Sequence, residues 1–454
     1  MTNRSHRGTH DPARGLRAAS ASARIAAISD AGSAHFLPPA GASPHLARFG
    51  IAAHDDDGIV IARARVHGTT AIIAAQDEHF LAGSVGERQG KALQEMFAAA
   101  IRERPDAVVL LLASGGVRLH EANAAELWLA RVLSALLDAR AVGIPVIAIG
   151  VASVFGGTSV LACAADRLAL LPGTRFGLSG PKVLESVHGK WELDADDARD
   201  VDAVFGAQSR NAAGLVELVF DDVETVRAWV AHAIREREDF TATVVATHAR
   251  LGARIAGEAA HAPAFEALPC FDNAVPADNA GRLWRRSECW LTRPNSGAAL
   301  GPADAHALDT ALLSQVASDP GRDGAPLVVV EDSAGHVVSR AAEMKLISQF
   351  LAHHAAVLAL IRGQGRRLVG LLAGIGHSAA FFSNALQAPA LFALASSRVV
   401  TMEPSAIARV TGLSTGMLIE HDPLLGQPVR HFAAQGGVSA IIAQASLAEL
   451  GIVG

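Results

Sequence analysis

The sequence predicts an α/β protein of two domains, each built on one copy of a strand-helix repeat, and three observations lead there. The chain has 454 residues, enough to bury two cores of ordinary size. Half of it is hydrophobic and 19% is charged, the balance of a globular chain and not of a disordered one. The segments Pro105 to Pro181 and Pro326 to Pro404 carry the same order of elements, so they read as two copies of one unit.

The elements follow in order. Ahead of the first copy, Gly58 to His67 and Thr69 to Gln76 alternate or run apolar like strands, and Gly83-Ser-Val-Gly86 opens a helix at Glu87. The first copy starts with the buried-strand run Ala107 to Ala113, which stops at Ser114-Gly115-Gly116. The second starts with Leu327 to Asp332 and stops at Ser333-Ala334-Gly335. Amphipathic helices follow over about Asn123 to Arg140 and Arg340 to Arg362. Next come strands Pro145 to Ile149 and Leu368 to Leu372, leading into Val154-Phe-Gly-Gly-Thr158 and His377-Ser-Ala-Ala-Phe381. Ala-rich helices then end at Asp166 and Pro389, and apolar strands Leu168 to Leu171 and Leu391 to Ala395 close each copy. Strand, helix, strand, helix, strand is a right-handed α/β unit. Pro263, Pro269 and Pro276 lie among Ala, Asp and Asn, which predicts a linker at 257–280 between domains 1–256 and 281–454.

Composition excludes several classes of function. A net charge of −6 with mixed signs offers no basic patch for nucleic acid. The three cysteines, Cys163, Cys270 and Cys289, make neither a disulfide framework nor a four-thiolate zinc site, so the expectation is no metal and a reducing cytoplasm. The longest apolar runs fall far short of the roughly 20 residues that cross a bilayer, so no membrane span is expected. Residues 1–29 are rich in Arg, Ser and Ala, and read as a disordered start running into a first helix in preference to a targeting segment.

Chemistry is expected where strands end in glycine and open a helix, because free backbone N–H groups there stabilise negative charge. In the first copy these places are Gly115-Gly116-Val117 and Phe155-Gly156-Gly157. Paired N–H donors from separate loops are what an oxyanion hole requires, and glycine allows close approach. Other candidates are weaker. Gly374-Ile-Gly376-His-Ser-Ala379 lacks the last glycine of a dinucleotide fingerprint, and neither Ser114 nor Ser378 lies in a GxSxG elbow. His377 reads either as a proton donor or as a helix-start histidine, and Glu331 and Asp332 as acid/base groups or as turn contacts.

Ser114-Gly-Gly-Val-Arg-Leu-His-Glu-Ala-Asn123, Phe155-Gly-Gly157 and Gly177-Leu-Ser-Gly-Pro181 together resemble the β subunit of biotin-independent malonate decarboxylase, over most of residues 20–250. Glu331-Asp-Ser-Ala-Gly335, Arg340 to Glu343 and Gly374 to Gln387 resemble its γ subunit. The resemblance implies two crotonase-like (ClpP/crotonase) domains related by a pseudo-twofold. The implied reaction is cleavage of a malonyl group on an acyl carrier protein to acetyl carrier and carbon dioxide. It implies no covalently bound cofactor, only the CoA-like arm of a partner carrier subunit, and an acyl carrier transferase subunit in the same complex, with a homo-oligomer open. It places one backbone hole at Gly116, Val117, Gly156 and Gly157, and a second at Gly335, Ala379 and Ala380. Gly157→Val is expected to block turnover with the fold intact.

Two departures stand out: Ala379 replaces a γ-subunit glycine, and Gly206-Ala-Gln-Ser-Arg210 replaces a more cationic β-subunit run. The alternatives are a biotin-dependent acyl-CoA carboxyltransferase and a degenerate scaffold without turnover.

Overall fold

The computed structural model describes residues 15–261, 268–293, 295–318, 324–414 and 424–452. The first sheet runs β1 (His35–Phe36), β2 (Ile59–Val66), β3 (Thr69–Gln76), β4 (Ala107–Ser114), β5 (Val146–Val154), β6 (Arg167–Leu170) and β7 (Glu217–Leu218), in that order. The second starts with β8 (Val275–Pro276), β9 (Leu283–Arg285), β10 (Trp290–Thr292), β11 (Leu327–Glu331) and β12 (Leu368–Leu372). After β13 (Ile375–His377) come β14 (Ala390–Leu394), β15 (Arg398–Val400) and β16 (Ala440–Ile442). Strands β14 and β16 complete the second sheet, while β13 and β15 pair separately.

The two sheets match strand for strand, antiparallel at the first edge and parallel from β3 and β10 onward. Their registers match as well. Val108 faces Val146 as Leu327 faces Leu368, Ile147 faces Arg167 as Val369 faces Ala390, and Ala169 faces Glu217 as Phe392 faces Ala440. The internal repeat is therefore structural, and it extends beyond the segments in which the sequence displays it. Each residue of β4 and β11 is buried, as parallel strands covered on both faces require.

The halves share one core. The Ala122–Ala141 and Ile347–Gly363 helices meet between the sheets, and one apolar cluster joins Leu129 and Leu133 of the first half to Leu351, Phe381 and Phe382 of the second. The outer face of each sheet has a smaller core of its own. At about 1.5–3 kcal/mol per fully buried large aliphatic or aromatic side chain, the central cluster is the main force that docks the halves.

Two expectations differ from the structure. The helix expected over Arg340 to Arg362 breaks into Arg340–Met344 and Ile347–Gly363, with Leu346 at φ +59 between them. The short first piece is capped by Ser339 Oγ and aims Glu343 at the first half. The segment expected to be a linker places Cys270 and Phe271 in the outer core and Val275–Pro276 in the second sheet, so the second folded unit takes up residues before 281. Alternating small apolar and proline residues disguise that edge strand as linker. The expected first helix is present at Ala21–Ile28, capped by Ser20, whereas residues 1–14 lie outside the described residues. No helix among the described residues is long and apolar enough to cross a membrane.

Candidate active site

The first pair of turns is pressed backbone to backbone. Gly116 has φ +100 and Gly156 φ +61, and a Cβ on Gly116 would sit 3.0 Å from the Gly156 Cα. Only glycine allows both the backbone angles and the contact. Hydrogen bonds then sort the four expected donors. The Gly116 N–H donates to Ser114 Oγ at 3.1 Å and the Gly156 N–H to the Leu178 carbonyl at 3.0 Å, so both are committed. Val117 lies in a parallel bridge with Val85, whose own bonds go to the Gly116 carbonyl and from the Arg118 N–H, so the Val117 N–H turns away from Val85. Gly157 is the first residue of the Gly157–Cys163 helix, where an N–H has no partner within the helix. Among the described residues no acceptor takes the Val117 or Gly157 N–H. Of the four N–H groups expected there, these two are uncommitted.

Gly157 also has a packing duty. A Cβ there would overlap Leu129 Cδ2 at 2.2 Å and meet Phe382 of the second half at 3.3 Å. The expectation that Gly157→Val leaves the fold intact is corrected by this contact.

The second pair of turns repeats the first, group for group. Gly335, at φ +91, donates to Ser333 Oγ at 3.3 Å, as Gly116 does to Ser114. Leu300 bridges His336 as Val85 bridges Val117, which puts the His336 N–H in the place of Val117. Ser378 takes the place of Gly156 and holds φ +51, a conformation that costs a non-glycine residue about 1–3 kcal/mol. The chain has lost the glycine and kept its geometry. Ala379 stands where Gly157 does, at the start of the Ser378–Ser383 helix, and Ala380 stands in the place of Thr158; both alanines are buried. Among the described residues no acceptor takes the His336 or Ala379 N–H, while the Gly335 N–H is committed. His377 lies 3.1 Å from where a Gly335 Cβ would be, and burial pushes its pKa down.

Each pair of turns lies beside the interface between halves, Gly157 against Phe382 and His336 against Ser179. Leu178, whose carbonyl holds Gly156, donates its own N–H to the Glu343 carboxylate, and Ser179 does so at 2.6 Å. Arg210 donates to the Phe176 carbonyl at 2.9 Å and to both the carbonyl and the carboxylate of Glu343. The run Gly206 to Arg210, in which cations seemed to be lost, therefore spends its buried arginine on holding the halves together. The His336 ring crosses the interface too, with Nε2 3.3 Å from Ser179 Oγ, and burial drives its pKa down to about 4.

Sequence reasoning missed Glu343 and His336. Glu343 carried a signal in the short run Arg340 to Glu343, but its partners lie more than 130 residues away. On the first-half side Glu126 is wholly buried, and that burial pushes its carboxyl up to about 8, opposed by the Thr401 hydroxyl and reinforced by the charge of Glu331. Burial also pushes the Cys163 thiol up to about 12, away from the thiolate form that a nucleophile needs. Two groups among the described residues have metal-ligand spacing, Asp77-Glu78-His79 and Glu185 with Asp194 and Asp196, and neither includes a residue of the turns.

Residues 18–251 match the carboxyl transferase domain family, and the chain belongs to it. Its second half carries a further match, of residues 295–450 to the malonate decarboxylase gamma subunit family, so the chain joins a carboxyl transferase half and a gamma-subunit half in one polypeptide. Each half has the α/β architecture of one mainly parallel sheet described above.

Among relatives, the malonyl-S-ACP:biotin-protein carboxyltransferase of Malonomonas rubra is 34% identical over 188 residues, covering 38% of this chain and 59% of its own length. An acetyl-coenzyme A carboxylase carboxyl transferase (subunits beta/alpha) of Parafrankia sp. is 32% identical over 130 residues, which cover 28% of this chain and 21% of that protein. The chain thus spans less than two thirds of either relative. Among solved structures, a Pseudomonas malonate decarboxylase hetero-tetramer in complex with malonate aligns with TM-score 0.46 at 32% identity, over 49% of this chain and 84% of that one.

Proposed function

We propose that the chain decarboxylates a malonyl thioester carried by an acyl carrier protein. The observation that carries this reading is the pair of uncommitted N–H groups, Val117 and Gly157, each one residue beyond the glycines, Gly116 and Gly156, that press the two turns together at the end of a buried sheet. The thioester oxygen would accept from both. As the bond to the carboxylate breaks, its electron pair moves into the thioester and leaves an enolate oxyanion, which these donors favour by roughly 3 kcal/mol each. Carbon dioxide departs, and the enolate carbon takes up one proton. Because the donors are fixed by packing before substrate arrives, they need no reorganisation as charge develops. Family membership supports the thioester, and the gamma-subunit match supports malonyl as the acyl group.

A second reading is carboxyl transfer to a biotin protein, which the likeness to the Malonomonas malonyl-S-ACP:biotin-protein carboxyltransferase favours. Malonyl-loaded acyl carrier protein, mixed with the full chain, separates the two. Release of carbon dioxide that avidin leaves unchanged is the expected result. Turnover that requires an added biotin carrier would transfer the assignment to the second reading, and no turnover with either would defeat both.

A further inference from the structure

Behind the second pair of turns runs a chain of buried polar groups. Asp309 Oδ1 lies 2.6 Å from His354 Nδ1, and His354 Nε2 lies 3.0 Å from Asn384 Oδ1. Asn384 Nδ2 donates to Glu331 Oε2 at 2.6 Å, and Ser333 Oγ donates to Glu331 Oε1 at 2.7 Å. Ser333 Oγ in turn accepts from the Gly335 N–H. Glu331, Ser333, His354, Ala380 and Asn384 border one small cleft, which therefore touches a residue from each of the two turns.

The first half shows that the fold does not need this chain. Glu331 pairs with Leu372 in the ladder as Leu112 pairs with Gly150, so Leu112 occupies the place of Glu331. The first-half cleft under Leu112 is lined by Leu93, Phe97, Leu110, Val132 and Leu161, with Gln76 and Thr158 as its polar members. One scaffold thus holds an aliphatic lining in one copy and an acid, an amide and an imidazole in the other. Burying a carboxyl costs several kcal/mol unless it is fully bonded, so an aliphatic lining is the easier solution for stability alone.

We propose that a thioester whose oxygen sits on the first pair of turns presents its enolate carbon to the cleft at the second pair, where Glu331 is the acid that delivers the proton, with Asn384, His354 and Asp309 as positioning residues that hold its carboxyl in place. This rests on the thioester reading above. In the step, the Glu331 O–H bond breaks and the enolate electron pair forms the new C–H bond. The resulting carboxylate recovers its proton from water before the next turnover.

The surroundings fit an acid that is still protonated near neutrality. Burial pushes Glu331 up to about 7, against the hydrogen bonds from Ser333 and Asn384; Asp332 reinforces the rise and His354 opposes it. His354 is itself held above its ordinary value by Asp309, despite burial. The other charged groups facing this region are Glu126 from the first half, His353 on the same helix as His354, and Arg282 and Arg293 at the rim of the cleft. His377, the donor considered from sequence, is outside this chain.

The test separates the proton transfer from the choice of substrate. The full chain is incubated with acetyl-CoA in deuterated water, and exchange of the acetyl protons is followed by mass spectrometry beside carbon dioxide release from malonyl-CoA. Glu331→Gln is expected to lower exchange about a hundredfold or more. Wild-type exchange is expected to rise as pH rises through about 7, because removal of an acetyl proton needs the carboxylate form of Glu331. His354→Asn is expected to move that limb without abolishing exchange.

Exchange in Glu331→Gln within threefold of wild type would overturn the proposal and leave the malonyl reading standing. Exchange that depends on Glu331, in a chain that releases no carbon dioxide, would uphold the proposal and defeat that reading. A wild-type chain that exchanges nothing would overturn the proposal. If Glu331→Gln does not fold, Glu331→Leu with Asn384→Ala copies Leu112 and the first half's Ala162, and the same exchange limits apply to it.

Discussion

Gly116→Ala tests whether the contact between the two first-half turns holds the donor. The added methyl would lie 3.0 Å from the Gly156 Cα and 3.1 Å from the Phe155 carbonyl oxygen, both backbone atoms that cannot swing aside. The turns must part by a few tenths of an ångström, and the Val117 N–H moves with them. At φ +100 the alanine itself adds strain of about 1–3 kcal/mol. Loss of one oxyanion donor costs about 10² to 10³ in rate, and partial displacement less, so kcat/KM is expected to fall about 10- to 100-fold, or about 1.4 to 2.7 kcal/mol. The assay is carbon dioxide release from malonyl-CoA, read beside a thermal melt. Gly143→Ala is the control, because Gly143 has φ +84 with open space where its Cβ would go. It should lose stability through the same backbone strain and keep its activity. If the two variants lose stability alike and differ less than twofold in kcat/KM, the contact between Gly116 and Gly156 does not position a catalytic donor.

Gly157→Val should destabilise the chain by at least about 1–3 kcal/mol, since its side chain enters the contact of Leu129 with Phe382; an unchanged melting temperature would contradict that packing. Arg210→Ala strips the buried Glu343 of its cation and should cost about 3–5 kcal/mol in denaturant unfolding, with a loss under 1 kcal/mol refuting the clamp. Glu126 binds a proton more tightly in the folded chain than in the unfolded one, so it erodes stability as pH rises from its ordinary value of 4.5 to about 8. Glu126→Gln should flatten that decline, and identical slopes in the two proteins between pH 5 and 8 would show that Glu126 is not its source.

What could be read from the chain was what repeats locally. Ala107 to Ala113 and Leu327 to Asp332 announce buried strands by their apolar runs, and the glycine turns that follow mark the strand ends. The helix break at Leu346 was hidden because Ser339 to Phe350 contains neither glycine nor proline; the left-handed residue is forced by docking Glu343 onto Leu178 and Ser179. Which N–H groups remain open depends on Ser114 Oγ and the Leu178 carbonyl, and such commitments appear only once the turns are folded. Glu331 looked like a strand-end acid for the same reason. Its partners Asn384 and His354 are 53 and 23 residues away along the chain, and nothing in their spacing connects them.

The shared core between the Ala122–Ala141 and Ile347–Gly363 helices has a consequence for dilute conditions. Two separate subunits docked on such a surface dissociate when their concentration falls below the dissociation constant. Here a single backbone keeps each half near its mate, at an effective concentration on the order of millimolar, whatever the concentration of the protein. Docking becomes a folding step with fixed one-to-one stoichiometry. A substitution at the interface that would scatter free subunits would here only lower the melting temperature.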